Sequence, residues 1–155
     1  MSTSIRIELK NQVTHPPQSV TIDNSMPTAL KSFMSNAEWE TFCKEVNKAL
    51  EPILDSKKRL RKNLTIASAL IVFIVGICMF PMTQNKHKSE MNDVELEIKR
   101  VLRNENNKRS NVSFTLHEEE KTHWVSQLDH SPVPEGTSSG VPIVAKIWYI
   151  KCMIS

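Results

Sequence analysis

The sequence predicts an α+β membrane protein, in which one hydrophobic membrane helix is flanked by amphipathic helices and short β-strands. Three observations support this fold class. Residues 64–82 form an apolar run without a charge. Residues near the N-terminus alternate between apolar and polar, residues near the C-terminus are dense in β-branched and aromatic types, and two further segments repeat apolar residues at helical spacing. The chain has 155 residues, which suffices for one modest domain or two small ones.

Charge and cysteine content argue against nucleic-acid-binding, disulfide-rich and zinc-binding proteins. Twenty Lys and Arg against 17 Asp and Glu give a net charge of +3, which is too small an excess to indicate a nucleic-acid-binding protein. The three cysteines, Cys43, Cys78 and Cys152, lie far apart and match no zinc-ligand spacing. We therefore expect neither a disulfide framework nor a structural metal.

The N-terminal arm alternates Ile5, Ile7 and Leu9 with charged residues, which is the period of a strand with one buried face. A turn then leads toward a second short strand near residues 20–22. A two-stranded hairpin is only marginally stable alone, so a further element must cover it.

A helix predicted over residues 36–51 supplies that cover. Ser35 and Glu38 form a capping-box pattern at its start. Its apolar residues recur at spacings of three and four and share one face. This predicted interaction helix presents Trp39, Phe42, Val46 and Leu50. Residues 1–55 are thus expected to form a cytosolic unit of a β arm and an amphipathic helix.

A basic juxtamembrane segment follows at residues 56–63. Its five cations lie within six residues, namely Lys57, Lys58, Arg59, Arg61 and Lys62. Fewer cations follow the uncharged run, so the positive-inside bias predicts a cytosolic N-terminus. The segment is either a topology signal alone or also a site for anionic lipid headgroups.

Residues 64–82 are predicted to form the membrane helix. Nineteen helical residues extend roughly 28 Å, close to the hydrocarbon thickness of a bilayer. The residues that represent this helix are Leu64, Ile66, Leu70, Phe73, Ile77 and Phe80. Two alternatives are a buried central helix of a soluble domain, and a helix that enters the membrane without crossing it.

Residues 83–155 are predicted to form a helix plus short β-strands with a Pro/Ser/Gly loop. Apolar residues spaced between residues 91 and 102 predict the helix, and alternation at residues 112–116 predicts a strand. Residues 132–140 predict the loop, and residues 143–154 are dense in β-branched and aromatic residues typical of a strand. Asn111 begins an N-glycosylation pattern, consistent with this half lying outside the cytosol.

One conflict follows from this arrangement. Strands at the two termini would most economically join one sheet, yet a spanning helix between them places them on opposite sides of the bilayer. Either each side forms its own small sheet, or the apolar segment does not cross.

No catalytic, cofactor or metal site is predicted. His117, His123 and His130 recur at intervals of six and seven, a spacing that places no two ligands on one face. The chain has three glycines, and none forms a phosphate-binding loop. Cys78 is a candidate for reversible palmitoylation, although an inert small residue explains it more simply. Cys152 fits either a free thiol or an intermolecular disulfide.

The order of elements resembles the golgin subfamily A member 7 family, which includes the fungal accessory subunit of a Ras palmitoyltransferase. The similar parts are the β arm, Met26 and Pro27 leading to Phe33, residues 40–47, the apolar block, the Asn-rich residues 104–107 and the strand at 147–150. The block here is longer than the family pattern requires, and the family's cysteines around it are reduced to Cys78. The resemblance implies a noncatalytic partner that stabilises a membrane acyltransferase, with both ends of the chain in the cytosol.

Three functional hypotheses follow. The first is a noncatalytic single-pass membrane protein, located in an endomembrane or the plasma membrane, that acts as a protein-interaction or adaptor component. The second is a golgin A7-like accessory subunit of a protein palmitoyltransferase. An enzyme of unknown type is the third. The expected partners are membrane lipid and another membrane protein, without nucleic acid or metal. Pairing of residues 5–9 with residues 147–150 would separate the first hypothesis from the second.

Overall fold

The computed structural model describes residues 3–14, 16–70, 75–126, 133 and 140–155, without the side chains of 67–70 and 75–80. The helices are α1 (Asn36–Leu50), α2 (Pro52–Leu70) and α3 (Val75–Asn106), with a short 3-10 helix at Thr28–Leu30. The strands are β1 (Thr3–Lys10), β2 (Thr21–Ile22), β3 (Val112–Ser126) and β4 (Gly140–Ile154). These strands form one antiparallel sheet in the order β2-β1-β4-β3.

The first and last strands of the chain lie side by side. Ile7 is the register partner of Ile150, and Ile5 is the partner of Cys152. The strand pairing joins residues 3–8 to residues 149–154, from one end of the chain to the other. Both termini therefore belong to a single sheet.

Helices α2 and α3 form an antiparallel hairpin. Ser56 Oγ on α2 lies 2.7 Å from His87 Nδ1 on α3, 31 residues later in the chain. A continuous helix would separate these residues by about 46 Å. Helix α2, which ends at Leu70, and helix α3, which begins at Val75, therefore run in opposite directions.

The predicted membrane-spanning helix at residues 64–82 is wrong. Residues 64–70 complete α2 and residues 75–82 begin α3, so neither part has the roughly 20 residues that a spanning helix needs. Within the described parts of the chain, no helix is both long enough and apolar enough to cross a membrane. The predicted fold class of an α+β membrane protein is corrected to a small α+β protein built on one four-stranded antiparallel sheet.

The predicted single-pass topology and membrane localisation are wrong for the same reason. A cytosolic N-terminal half and a C-terminal half across a membrane cannot share the β1–β4 pairing. Hydropathy misled the prediction because the uncharged run covers the end of α2 and the start of α3, and a hydropathy average counts the two together.

The core lies between the sheet and helices α1 and α3. Three aromatic rings form its centre, with centroid separations of 5.5 Å from Trp39 to Phe42 and 4.8 Å from Phe42 to Phe114. Strand β1 contributes Ile7 and Leu9 to the same cluster. Since residues 1–55 and 83–155 both supply this core, the two predicted flanking segments pack into one unit.

Side-chain amides fix the ends of several strands. Asn47 Oδ1 accepts a 2.8 Å hydrogen bond from the backbone N–H of Ile22 at the sheet edge. Asn106 contacts both backbone groups of Phe114, accepting from its N–H at 2.7 Å and donating to its C=O at 3.0 Å. Each amide replaces a strand neighbour, so the backbone groups at these ends are paired.

Several local predictions are confirmed. The capping box at α1 is complete, because Ser35 and Glu38 each bind the other's backbone N–H. The strands expected at residues 112–116 and 143–154 lie within β3 and β4, each of which is 15 residues long. The loop expected at residues 132–140 lies outside the described residues except at Val133 and Gly140.

Candidate partner-binding site on helix α2

The five cations of the basic segment point in three directions on α2. Lys57 is half-buried and donates a 2.5 Å hydrogen bond to the backbone C=O of Gln12. Burial lowers the pKa of Lys57. Arg59 instead bridges the hairpin, with Nη2 3.0 Å from a carboxylate oxygen of Glu90 on α3. These two cations serve contacts within the chain.

The other three cations, Lys58, Arg61 and Lys62, are exposed. Their spacing of three and four residues places them on one face of α2. None of the three side chains forms an ion pair or a hydrogen bond with a residue that the structure describes. This face therefore carries three positive charges that no carboxylate in the described chain neutralises.

A groove of about 490 Å³ lies along this face. Its far wall is the Pro16 and Pro17 segment that follows β1, and Thr65 and Ile66 line the end nearer the tip of the hairpin. Ile66 is 40 % exposed. We call the surface formed by Pro16, Pro17, Lys58, Arg61, Lys62, Thr65 and Ile66 the basic groove. It combines three cations with an apolar wall and an apolar end.

The uncharged run of residues 64–82 overlaps the end of the basic groove at Thr65 and Ile66. Leu64 is partly buried, and Met82 on α3 is 71 % exposed. Phe73 lies outside the described residues, and the side chains of Leu70, Ile77, Cys78 and Phe80 also lie outside them. Palmitoylation of Cys78 stays a prediction.

The predicted interaction helix has a different placement. Trp39, Phe42, Val46 and Leu50 are all buried within the core of the chain. They belong to one core cluster with side chains of β1, β2 and β3, and the Phe42 ring lies 4.8 Å from the Phe114 ring on β3. These four residues hold the fold together and leave the exposed cations of α2 as the stronger candidate for contact with a partner.

A second cavity, of about 480 Å³, lies between the hairpin and the sheet. Lys57, His87 and Trp148 are among the residues that line it. Glu118 accepts hydrogen bonds from Lys146 at 2.8 Å and from the Trp148 indole at 3.3 Å. Its carboxylate is thus already occupied by groups of the same chain.

Ser56, His87 and Glu90 contain the residue types of a hydrolytic triad but not its geometry. Ser56 is 2 % exposed, so its hydroxyl is inaccessible to a substrate carbonyl. A hydrogen bond from Ser56 is the main cause that lowers the pKa of Glu90, with Arg59 contributing. The carboxylate pairs with Arg59 at 3.0 Å, and no hydrogen bond of the kind that a triad requires joins the described side chains of Glu90 and His87. The group joins the two helices of the hairpin.

The histidines and cysteines considered in the sequence do not come together. His117 stacks on Tyr149 with centroids 5.3 Å apart, whereas His123 lies six residues further along β3. Burial raises the pKa of Cys43 and of Cys152 to about 11, so both are neutral thiols near pH 7. In the part of the chain that the structure describes, no three His, Cys, Asp or Glu residues are arranged to hold a metal ion. His130 lies outside that part.

Asn111, the candidate glycosylation site, is exposed immediately before β3. Its backbone C=O accepts a 3.0 Å hydrogen bond from the N–H of Ser155. The next residue, Val112, pairs with Ile154, which also pairs with Thr3. Asn111 therefore lies beside both termini, and any compartment that glycosylates it must contain them too.

Sequence reasoning missed two parts of the basic groove. It grouped all five cations together, because the contact that turns Arg59 toward Glu90 on α3 joins residues too far apart for a local pattern. It also treated the two prolines only as a turn, because nothing in the sequence indicates that they face α2.

Protein-family models, curated proteins and solved structures were compared with this chain, and no match was found.

Proposed function

We propose that this chain is a noncatalytic accessory subunit that binds a protein palmitoyltransferase and stabilises it. The observation that supports the proposal is the pairing of Ile7 with Ile150. The resemblance to the golgin A7 family implies both ends of the chain in one compartment, and a shared sheet fulfils that requirement. A single-pass adaptor would have required two separate sheets.

Two asparagines in the segments that resemble the golgin A7 family form hydrogen bonds to strands of the sheet. Asn47, the last residue of the segment 40–47, accepts a hydrogen bond from the backbone of β2. Asn106, in the Asn-rich end of the second helix, binds the start of β3. At position 106 the side chain uses both its donor and its acceptor, which an Asn offers in the spacing of a peptide group. These roles support a common architecture.

In this proposal the enzyme catalyses acyl transfer, and this chain binds the folded enzyme and stabilises it. Binding to the native enzyme alone would raise the enzyme's stability by mass action. The basic groove suits such a contact, because it places apolar side chains beside three cations that no described carboxylate neutralises.

A noncatalytic adaptor for a different class of protein is the second candidate. The same basic groove favours it, since the groove's chemistry suits any acidic protein surface. The identity of the bound protein separates the two candidates.

Co-expression tests the proposal. The chain is expressed with each palmitoyltransferase of the source organism, and co-purification, steady-state enzyme level and enzyme autoacylation are measured. We expect one enzyme to co-purify and to accumulate at least several-fold more with the chain than without it. Ile150→Lys, which places a charge at a fully buried core position beside Ile7, is the unfolded reference and should abolish both effects. Equal enzyme levels with and without the chain, together with no co-purification, would refute the proposal.

A further inference from the structure

We propose that the basic groove binds an extended acidic segment of the partner protein. Carboxylates of that segment contact Lys58, Arg61 and Lys62, and an apolar side chain contacts Ile66. The inference rests on the proposed function for the identity of the partner, and it specifies which part of that partner is recognised.

Charge supports an acidic occupant. The three cations lie within five residues of one another on one helix face and repel each other in the free protein. Glu90, the acid that reaches α2 from α3, is already paired with Arg59 on another face. Carboxylates entering the groove would therefore meet three unneutralised cations and relieve their repulsion.

The lining of the groove supports a peptide that combines acidic and apolar side chains. Pro16, Pro17 and Ile66 line the groove together with the three cations. Pro has no backbone N–H, so the prolines offer rings for packing and leave polar recognition to the α2 side chains.

Helix geometry sets the spacing of the recognised residues. Lys58 and Lys62 are separated by about 6 Å along α2, and Ile66 lies about 6 Å beyond Lys62. An extended peptide advances about 3.3 Å per residue. The matching segment has two acidic residues with one residue between them. An apolar residue then lies two positions beyond one of the acidic residues, so the pattern is acidic-x-acidic-x-apolar or the same pattern in reverse.

A second copy of this chain is the alternative occupant that the test separates. On its β3, Glu118 and Glu119 already pair with Lys146 and Arg6, so docking these two carboxylates would require both pairs to break.

The test uses the full-length chain and a labelled synthetic peptide with two aspartates, a leucine and the spacing given above. A matched peptide carries asparagines in place of the aspartates. The groove variant is Lys58→Glu/Arg61→Glu/Lys62→Glu. The control variant, Lys31→Glu/Lys44→Glu/Lys48→Glu, changes the net charge equally at exposed positions outside the groove. Circular dichroism and thermal unfolding verify that both variants fold.

We expect the aspartate peptide to bind the wild type and the control variant with similar affinity. The asparagine peptide and the groove variant should each lose at least tenfold in affinity, and added salt should weaken the wild-type interaction. Equal binding of both peptides, or equal binding by the groove variant, would overturn the inference.

Two further measurements identify other occupants. Binding to phosphatidylserine vesicles but not to the peptide, lost in the groove variant, would replace the protein segment by a lipid surface. A dimer of the wild type that the groove variant cannot form would replace it by a second copy. Co-purification separates the two proposals: if the groove variant still binds the enzyme, the groove inference fails and the proposed function stands. If the peptide binds but no palmitoyltransferase co-purifies, the proposed function fails.

Discussion

Gln12 holds Trp148 through both of its backbone groups. The N–H of Trp148 donates to Gln12 Oε1 at 2.6 Å, and Gln12 Nε2 donates to the C=O of Trp148 at 2.6 Å. Trp148 is the β4 residue next to Tyr149, whose pairing with Glu8 is the last register pair between β1 and β4. The side-chain amide of Gln12 thus occupies the place of the next strand residue and extends the pairing by one position.

Replacing Gln12 by Ala should leave both backbone groups of Trp148 without this partner. We expect Gln12→Ala to reduce the free energy of unfolding by about 1–3 kcal/mol, because part-buried polar groups lose their hydrogen bonds. Urea unfolding measures the change. Gln18→Ala, at an exposed position, is the matched control and should change the free energy by less than about 0.5 kcal/mol. Equal effects of the two substitutions would show that Gln12 does not secure β4.

Arg109 neutralises a carboxylate that is almost fully buried. It pairs with Glu105, which is 3 % exposed, and with Glu38 at the start of α1, 2.8 Å away. We expect Arg109→Ala to destabilise the protein by about 3 kcal/mol, because Glu105 would then keep only Lys108 as a partner. Thermal or urea unfolding measures the loss.

Two comparisons identify the source of that loss. Arg103→Ala removes an exposed cation of α3 and should cost less than about 0.5 kcal/mol. The double variant Arg109→Leu/Glu105→Leu should recover much of the stability, because no buried charge is then left unpaired. If the double variant is as unstable as Arg109→Ala, lost packing rather than the carboxylate explains the effect.

The stability of the hairpin should fall as the pH falls below about 6.5. Burial lowers the pKa of His87, with Lys57 adding to the decrease and Glu90 opposing it. The unfolded chain therefore binds a proton at a higher pH than the folded chain does. The contribution of neutral His87 is complete above the unfolded pKa and is lost as the pH falls toward the lower folded value.

Urea midpoints measured from pH 7.5 to pH 5 test this expectation. His87→Gln preserves a polar partner for Ser56 but does not titrate, so its midpoint should depend less on pH than that of the wild type. Burial also lowers the pKa of His123, so some pH dependence should persist in the variant. A variant midpoint that falls as steeply as the wild-type midpoint would exclude His87 as a source.

The elements with strong local patterns were predictable from sequence. The capping box fixed the start of α1, and the alternation of Ile5, Ile7 and Leu9 indicated β1. The hairpin was not predictable, because both of its halves are apolar near the reversal and hydropathy counts them together. The contact between Ser56 and His87 that defines it joins residues too far apart for any local pattern.

The basic groove was predictable only in part. The sequence supplies the cluster of cations, but the direction of each cation depends on long-range contacts. Lys57 turns inward because Gln12 presents a carbonyl, and Arg59 turns toward α3 because Glu90 lies there. The proline wall depends on the path of the chain after β1, which no local pattern specifies.

The proposed function depends on the pairing of β1 with β4. A cross-link between Ser4 and Met153 tests that pairing. These residues are register partners. Because Trp148 points its backbone groups toward Gln12 on the β1 side, even-numbered residues of β4 form the hydrogen-bonded pairs with β1. Ser4 and Met153 therefore form a non-hydrogen-bonded pair, in which side chains approach within disulfide range.

The experiment introduces Ser4→Cys and Met153→Cys in a Cys78→Ser background and applies mild oxidation to the folded protein. We expect an intramolecular disulfide, identified by mass spectrometry as a peptide joining positions 4 and 153. The control, Ser4→Cys with Ala145→Cys, separates the two thiols by eight residues of β4, or about 27 Å, and should give no cross-link. Failure of the 4–153 disulfide to form in folded protein would contradict the shared sheet and the functional proposal that depends on it.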